Sequence, residues 1–141
     1  MLDLLRKNGV EIVVIEMNLD TVHALQRQGI EAVYGDASHK PVIESTAVEH
    51  ASSFIITSPG KETEQAIRLV RECNADIQIL ARAAYVLEKP VLQRAGADRV
   101  FTGEEEIALA MAEHILRDLG ATPEQIDRER ENLRNNASNG G

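Results

Sequence analysis

Glu16 closes the run Ile12-Val13-Val14-Ile15, so a carboxylate stands at the end of an apolar, β-branched segment. Such a run suits a strand buried on both faces. An acidic side chain at the end of that kind of strand can accept hydrogen bonds from the hydroxyls of a ribose. Other small or polar residues hold equivalent places. Met17 lies beside Glu16; Asp36, Ala37 and Ser38 follow Tyr34-Gly35; Thr57 and Ser58 follow Phe54-Ile55-Ile56; and Arg82 follows Ile79-Leu80-Ala81. Hydroxyls, a carboxylate and one guanidinium suit riboses, a base edge and a phosphate respectively.

Each of these residues also has a plainer role open to it. Glu16 can be a solvated strand end. Gly35-Asp36 is a turn signature in which Asp36 accepts backbone amides or caps a helix near Pro41. Ser58, just before Pro59, reads first as a helix cap, and the free amides of that helix would also form an anion site. Arg82 can pair with one of the many carboxylates. Glu104-Glu105-Glu106 places favourable charge on the positive end of a helix dipole.

No catalytic constellation accompanies them. The histidines at 23, 39, 50 and 114 have neither H-E-x-x-H nor H-x-x-E-H spacing, and no serine sits in a G-x-S-x-G elbow. His23 and His114 fall on helical segments and read as surface residues. The single cysteine, Cys73, excludes an internal disulfide and a cysteine-rich zinc site, and reads as a small residue near a helix end. A nucleotide carboxylate of the Glu16 kind normally follows a glycine-rich phosphate loop by roughly 20 residues. Counting back that far from Glu16 leaves the chain. The nine glycines, at 9, 29, 35, 60, 96, 103, 120, 140 and 141, include no G-x-G pair.

Strands and helices must alternate to position these residues. Strand-like runs lie at residues 11–15, 31–34, 53–57, 77–81 and 99–102. Helical patterns lie at 2–8, at 19–28 with Asn18 as cap and Gly29 as terminator, and at 41–47 with Pro41 in the first turn. A further helix runs from near Pro59 to Glu72 with Ala66, Ile67 and Val70 facing inward. The segment 84–94 is helical but interrupted by Pro90, and 104–119 is a long helix. This alternation predicts an α/β fold, Rossmann-like, with a mostly parallel sheet and helices on both faces. Ligands in such sheets bind beyond the carboxyl ends of the strands, where the residues above lie. Beyond Gly120, Thr122-Pro123-Glu124-Gln125 opens a polar helix to about Arg134. Residues 135–141 carry no core-forming side chains and are expected to be disordered.

Composition narrows the function classes. With 141 residues, 43% apolar and 27% charged, the chain suits one globular unit with one core. Only 3% of residues are aromatic and none is Trp, so aliphatic side chains must fill that core and base-stacking platforms are not expected. A formal charge of −8 opposes nucleic acid and anionic membrane surfaces as partners. Apolar runs fall far short of the roughly 20 residues that cross a bilayer, and no charged-then-apolar leader opens the chain. A cytoplasmic protein is expected.

Six segments in order carry a resemblance: VVIEMNLDTVHAL, AVYGDAS, FIITSP, IQILARA, LQRAGADRVF and the long helix that follows. Together they resemble the TrkA-N or RCK domain, the nucleotide-binding regulatory domain of potassium transporters and channels. The form most similar is that at the C-terminus of Kef-type potassium/proton antiporters. The resemblance covers residues 1 to about 134 and includes LRDLGATPEQIDRERENLR, which is similar to the C-terminal extension of those antiporters. Residues 1–120 would form the domain, 121–134 a helical extension and 135–141 a tail. The resemblance implies binding of NAD(H) or AMP, with occupancy coupled to ion flux through a membrane transporter partner and without hydride transfer. Carried over by position, Glu16 binds the adenosine ribose and Asp36 and Ala37 contact the adenine. Met17, Thr57 and Ser58 line the cleft, and Arg82 approaches the phosphates or a dimer mate. The protein would then sit in the cytoplasm at the inner face of the membrane. The alternatives are a fragment of an NAD-dependent oxidoreductase and a non-binding dimerisation module.

The sequence departs from that family in its first strand and glycine loop, which are missing. In the strand order 3-2-1-4-5-6 this strand is central, so its loss exposes edges on the strands ending near Ile15 and Thr57. Either those strands pair directly or another chain fills the gap. A homodimer is favoured, and nucleotide binding should be weak or absent.

Overall fold

The computed structural model describes residues 1–139, with side chains described through residue 132. Its elements run α1 (Leu2–Lys7), β1 (Val13–Glu16), α2 (Leu19–Arg27), β2 (Glu31–Tyr34), α3 (Lys40–Glu44) and β3 (Ser53–Ile56). They continue with α4 (Thr63–Cys73), β4 (Gln78–Ala83), α5 (Lys89–Ala95), β5 (Arg99–Thr102), α6 (Gly103–Asp118) and α7 (Pro123–Asn139). Short 3-10 turns precede β3 at Val48–His50 and α5 at Val86–Glu88. The fold is the expected α/β, Rossmann-like alternation of parallel strands and helices.

Local chemistry explains most boundaries. Asn18 accepts the Thr21 amide and caps α2, while Gly29 leaves that helix at φ +72°. Thr122 and Gln125 exchange hydrogen bonds at the start of α7. Pro90 occupies the first turn of α5, where its missing amide costs nothing. The segment is therefore split there into a 3-10 turn and a helix. In the tail α7 continues past Arg134 to Asn139, and residues 140–141 lie outside the described residues.

The strands form two parallel sheets. In one, β1 pairs with β2 in the register Val14↔Ala32 and Glu16↔Tyr34. In the other, β3, β4 and β5 lie in that order, with Phe54↔Ile79 and Ala81↔Val100 in register. Of the two alternatives expected for the strands that end near Ile15 and Thr57, direct pairing or completion by another chain, direct pairing does not occur. Their first responsibility is packing: Ile15, Phe54 and Ile56 all rest on one core built from Ile43, Val48, Ile67, Val70, Ile77, Ile79, Leu92 and Val100. That core holds the two sheets without a ladder between them. Val22 of α2, with Ile30 and Ala32, is buried outside this cluster. Because Val14 and Ala32 share a register position while Ile15 joins the main core, α2 covers the opposite face of the first sheet. Helices on both faces follow from this alternation.

Arg71 ties the end of α4 to both later strands. Its guanidinium donates to the carbonyls of Ala75 and Ile77 at 2.8 Å each, to Gly96 at 2.5 Å, and to Asp98 at 3.0 Å. Asp98 in turn accepts the Ile79 amide at 2.7 Å, fixing the entry of β5 against β4.

Candidate functional site

Glu16 is the last residue of β1 and is half-buried. Its Oε1 accepts the Asn18 amide at 2.8 Å, which holds the carboxylate at the mouth of the turn into α2 and leaves Oε2 open. The Glu16 carbonyl accepts the Gly35 amide at 3.0 Å, so the loops after β1 and β2 are joined at their bases. Asp36 lies one residue further on. Its carboxylate accepts the Ser38 amide at 2.8 Å, the Asx-turn expected of this position. The Ser38 amide, then its hydroxyl, hold the Asp36 carboxyl below the usual carboxylate range despite partial burial, and His39 adds attraction from 3.7 Å. Ala37 packs on the main core, and Met17 is exposed.

Gly35 is required here by space rather than by backbone angle. A Cβ on it would lie 2.7 Å and 2.9 Å from the two methyls of Val42 in α3. Gly35→Ala is therefore expected to cost about 1–3 kcal/mol, because β-branched Val42 has no rotamer that retracts both methyls. Chemical denaturation reads the loss, and backbone chemical shifts confined to residues 36–44 would show that α3 has moved.

Thr57 and Ser58 are exposed just beyond β3. Ser58 does not cap a helix: α4 begins at Thr63, and the intervening turn is closed by Gly60 donating to the Thr63 hydroxyl at 3.1 Å. Pro59 and Gly60 favour that turn over an earlier helix start, so the anion site expected at Ser58 is not formed by helix amides. Arg82 also differs from expectation, since β4 extends to Ala83 and includes it. Ala81 and Ala83 join the core while Arg82 points to the opposite face and is exposed. It donates to the Thr57 carbonyl at 3.4 Å and forms no ion pair with a carboxylate among the described residues.

The structure thus binds the predicted residues into two groups at the carboxyl ends of the strands. Glu16, Met17, Asp36 and Ala37 belong to the first sheet, and Thr57, Ser58 and Arg82 to the second. A third cluster joins Lys89, which was not singled out from sequence, to Thr102 and Glu105. Lys89 donates to both oxygens of Glu105 at 2.9 Å and 2.8 Å, and the buried Thr102 hydroxyl donates to Glu105 at 2.9 Å while accepting its amide. Burial pushes the Glu105 carboxyl up, but hydrogen bonds from Lys89 and Thr102 outweigh it and hold it below its usual range. The T-x-x-E spacing of Thr102 and Glu105 was the available signal, because it marks a capping box. Among the described residues no group of three His, Cys, Asp or Glu side chains could hold a metal.

Residues 1–103 match the TrkA-N domain model. The chain belongs to the TrkA-N domain family. It is 36% identical over 107 residues to YbaL of Escherichia coli (strain K12), which carries the name of a cation/proton antiporter. That match takes in 75% of this chain and 19% of YbaL, so the chain spans about a fifth of this relative's length. The crystal structure of the YbaL TrkA-N domain superposes with a TM-score of 0.75 at 34% identity, covering 79% of this chain and 83% of that one. The GsuK channel bound to NAD gives a TM-score of 0.64 at 25% identity, over 70% of this chain and 18% of the channel chain. The C-terminal domain of Kef from Shewanella denitrificans in its AMP-bound form shares the fold, with a TM-score of 0.62 at 18% identity over 89% and 92% of the two chains. This TrkA-N domain is therefore related to that of the cation/proton antiporter YbaL and to that of the GsuK channel. No helix among the described residues is long and apolar enough to cross a membrane.

Proposed function

We propose that this TrkA-N domain binds an adenine nucleotide, NAD(H) or AMP, at the carboxyl ends of β1, β2 and β3, and that occupancy regulates a potassium efflux or potassium/proton antiport partner in the membrane. The observation that carries the reading is Glu16: it ends β1, its Oε1 is anchored by the Asn18 amide, and Oε2 remains open to a ribose hydroxyl. Asp36 and Ala37 stand beside it through the Gly35 link, which supports a contact to the adenine. Arg82, without a carboxylate partner among the described residues, supplies a cation for phosphate near Thr57 and Ser58. NAD bound to GsuK and AMP bound to the Kef domain support the choice of nucleotide. The residues present fit the adenosine half better than the phosphates, for which these 141 residues hold no G-x-G loop.

The role is regulatory rather than catalytic, with nucleotide favouring one arrangement of a domain dimer. The dimer is supported by α6 and its C-cap residue, where Ile107, Met111, Ile115 and Leu119 recur at four-residue intervals and are 59–79% exposed. A cytoplasmic position at the inner face of the membrane follows from the same reading.

Isothermal titration with AMP, NAD, NADH and NADP, beside light scattering for mass, tests this. Binding of AMP and NAD that falls at least tenfold in Glu16→Ala is expected. NADP should bind more weakly than NAD, because the Glu16 carboxylate repels a 2′-phosphate. Unchanged affinity in Glu16→Ala would remove the ribose role, and a dimer that binds no nucleotide would leave an interaction module.

A further inference from the structure

We propose that Gln26 guards an open sheet edge: its side-chain amide holds the outward carbonyl of Ala32 and so keeps β2 of a second copy from pairing antiparallel with β2. That strand is hydrogen-bonded to β1 on one side and to no strand on the other. The bond from the Gly35 amide to the Glu16 carbonyl fixes which of its groups face which way. Because the amide and carbonyl of one residue point to the same side and the sides alternate along a strand, Glu31, Val33 and Gly35 direct theirs to β1. Ala32 and Tyr34 direct theirs outward. Among the described residues one hydrogen bond ends on this outward row: Gln26 Nε2 donates to the Ala32 carbonyl at 3.1 Å. Helical spacing puts it there. Val22 is buried on α2, and Gln26 stands one turn further along the same face, where its amide reaches around to the edge.

In other respects this edge suits its own copy. Ile30-Glu31-Ala32-Val33-Tyr34 contains β-branched and aromatic residues and neither the proline nor the lysine that commonly blocks an edge. A twofold antiparallel pair centred on Val33 sets Ala32 of each copy opposite Tyr34 of the other, and both of these pairs exchange two hydrogen bonds. Every outward group of residues 32 and 34 is then used. Glu31 does not prevent the pairing, because in that register it lies opposite Gly35 and not opposite a second Glu31. Tyr34, 60% exposed, supplies side-chain surface for the second copy to cover. The obstacle is the Ala32 carbonyl, which must accept the Tyr34 amide of the second copy where Gln26 Nε2 already sits. Two of the four bonds across the pair depend on that carbonyl, one from each copy. The guard is independent of the nucleotide reading and of association through α6.

Sedimentation velocity and amide hydrogen exchange on the full chain test the proposal with Gln26→Met, which keeps the length and helix propensity of the side chain but removes its donor. The variant should associate one step beyond the parent, monomer to dimer or dimer to tetramer, at a concentration at least tenfold lower. In the associated form the Ala32 and Tyr34 amides should exchange at least tenfold more slowly, while that of Val33, already bonded to β1, stays as it was. Gln26→Ala, which cannot reach the carbonyl either, must behave alike; since Gln26 is exposed, both variants should keep the parent's folded amide spectrum. Adding Tyr34→Pro removes an outward amide while sparing the β1–β2 ladder, and should return Gln26→Met to the parent's mass. Should that double variant fail to fold, Val33→Lys sets two lysines opposite each other on the twofold axis and must do the same. Equal association of Gln26→Met and parent would overturn the proposal. So would added association that leaves the Ala32 and Tyr34 amides unprotected, or that slows exchange along α6 instead, and so would protection of both amides in the parent itself.

Discussion

Replacing Ile67 by Ala should lower the unfolding free energy by about 2–5 kcal/mol. Ile67 is fully buried on α4, in the cluster that joins α4 and α5 to β4 and β5 and that also carries Ile15, Phe54 and Ile56. Removing its outer methyls leaves a cavity that the surrounding Ile and Val side chains cannot fill without leaving their rotamers. Against a typical domain stability of about 5–15 kcal/mol this is a large fraction, and thermal unfolding should shift by roughly 10 °C or more. No ladder joins β1 to β3, so this core is also what holds the two sheets to each other. Urea unfolding should show both the lower midpoint and, in amide exchange, earlier opening of β1 and β2 than of β4. Ile55→Ala is the matched comparison. Ile55 is 39% exposed, and its truncation should cost well under half as much; an equal cost would mean that the inner edge of β3 is covered in solution.

Much of this architecture was legible in residue patterns. The runs at 31–34 and 99–102 agree with β2 and β5 to the residue, and Ala66, Ile67 and Val70 are buried on α4 as their spacing requires. Asn18, Gly29 and Thr122 acted locally, through caps and φ, and local rules read them correctly. The misreadings arose where a local signal competed with another or where tertiary context decided. Ser58-Pro59 has a cap signature, but Gly60 and Thr63 form their own turn and move the helix start to Thr63. Arg82 was placed after its strand, yet Ala81 and Ala83 are core positions that carry β4 through it. The split of the sheet was anticipated as a gap, but whether β1 and β3 would close it depended on the core beneath them. Of the candidate residues, Glu16 and Asp36 stand at strand ends as read from sequence, each already holding a nearby amide. Lys89 was missed because its partner Glu105 is sixteen positions away.

Arg71 was equally invisible, since its partners are mostly backbone carbonyls, and removing it should produce the second large loss. Arg71→Met keeps the aliphatic stem but withdraws four hydrogen bonds, three of them to carbonyls of Ala75, Ile77 and Gly96. A loss of about 2–4 kcal/mol is expected, because carbonyls at the α4–β4 and α5–β5 turns are left short of a donor and Asp98 loses its cation. The effect has a pH signature through Asp98. The Ile79 amide, and after it the Arg71 guanidinium, hold the Asp98 carboxyl below its usual value against partial burial. A carboxyl depressed by folding stabilises fully above its unfolded pKa of about 3.9 and loses that contribution as pH falls through the folded value. Asp98→Asn retains an oxygen for the Ile79 amide but lacks the charge, so it should be about 1 kcal/mol less stable than the parent at neutral pH. The difference should begin to shrink as pH falls below about 4 and vanish below the folded value, where the parent is neutral in both states. Asp36 and Glu105 are depressed too and make both proteins fall in acid, but they cancel in the difference. Denaturation of the pair from pH 7 to pH 2.5 reads this directly. Two stability curves that stay parallel to the lowest pH would show that Asp98 acts only as an acceptor for Ile79, leaving Arg71 to hold the turns through their carbonyls alone.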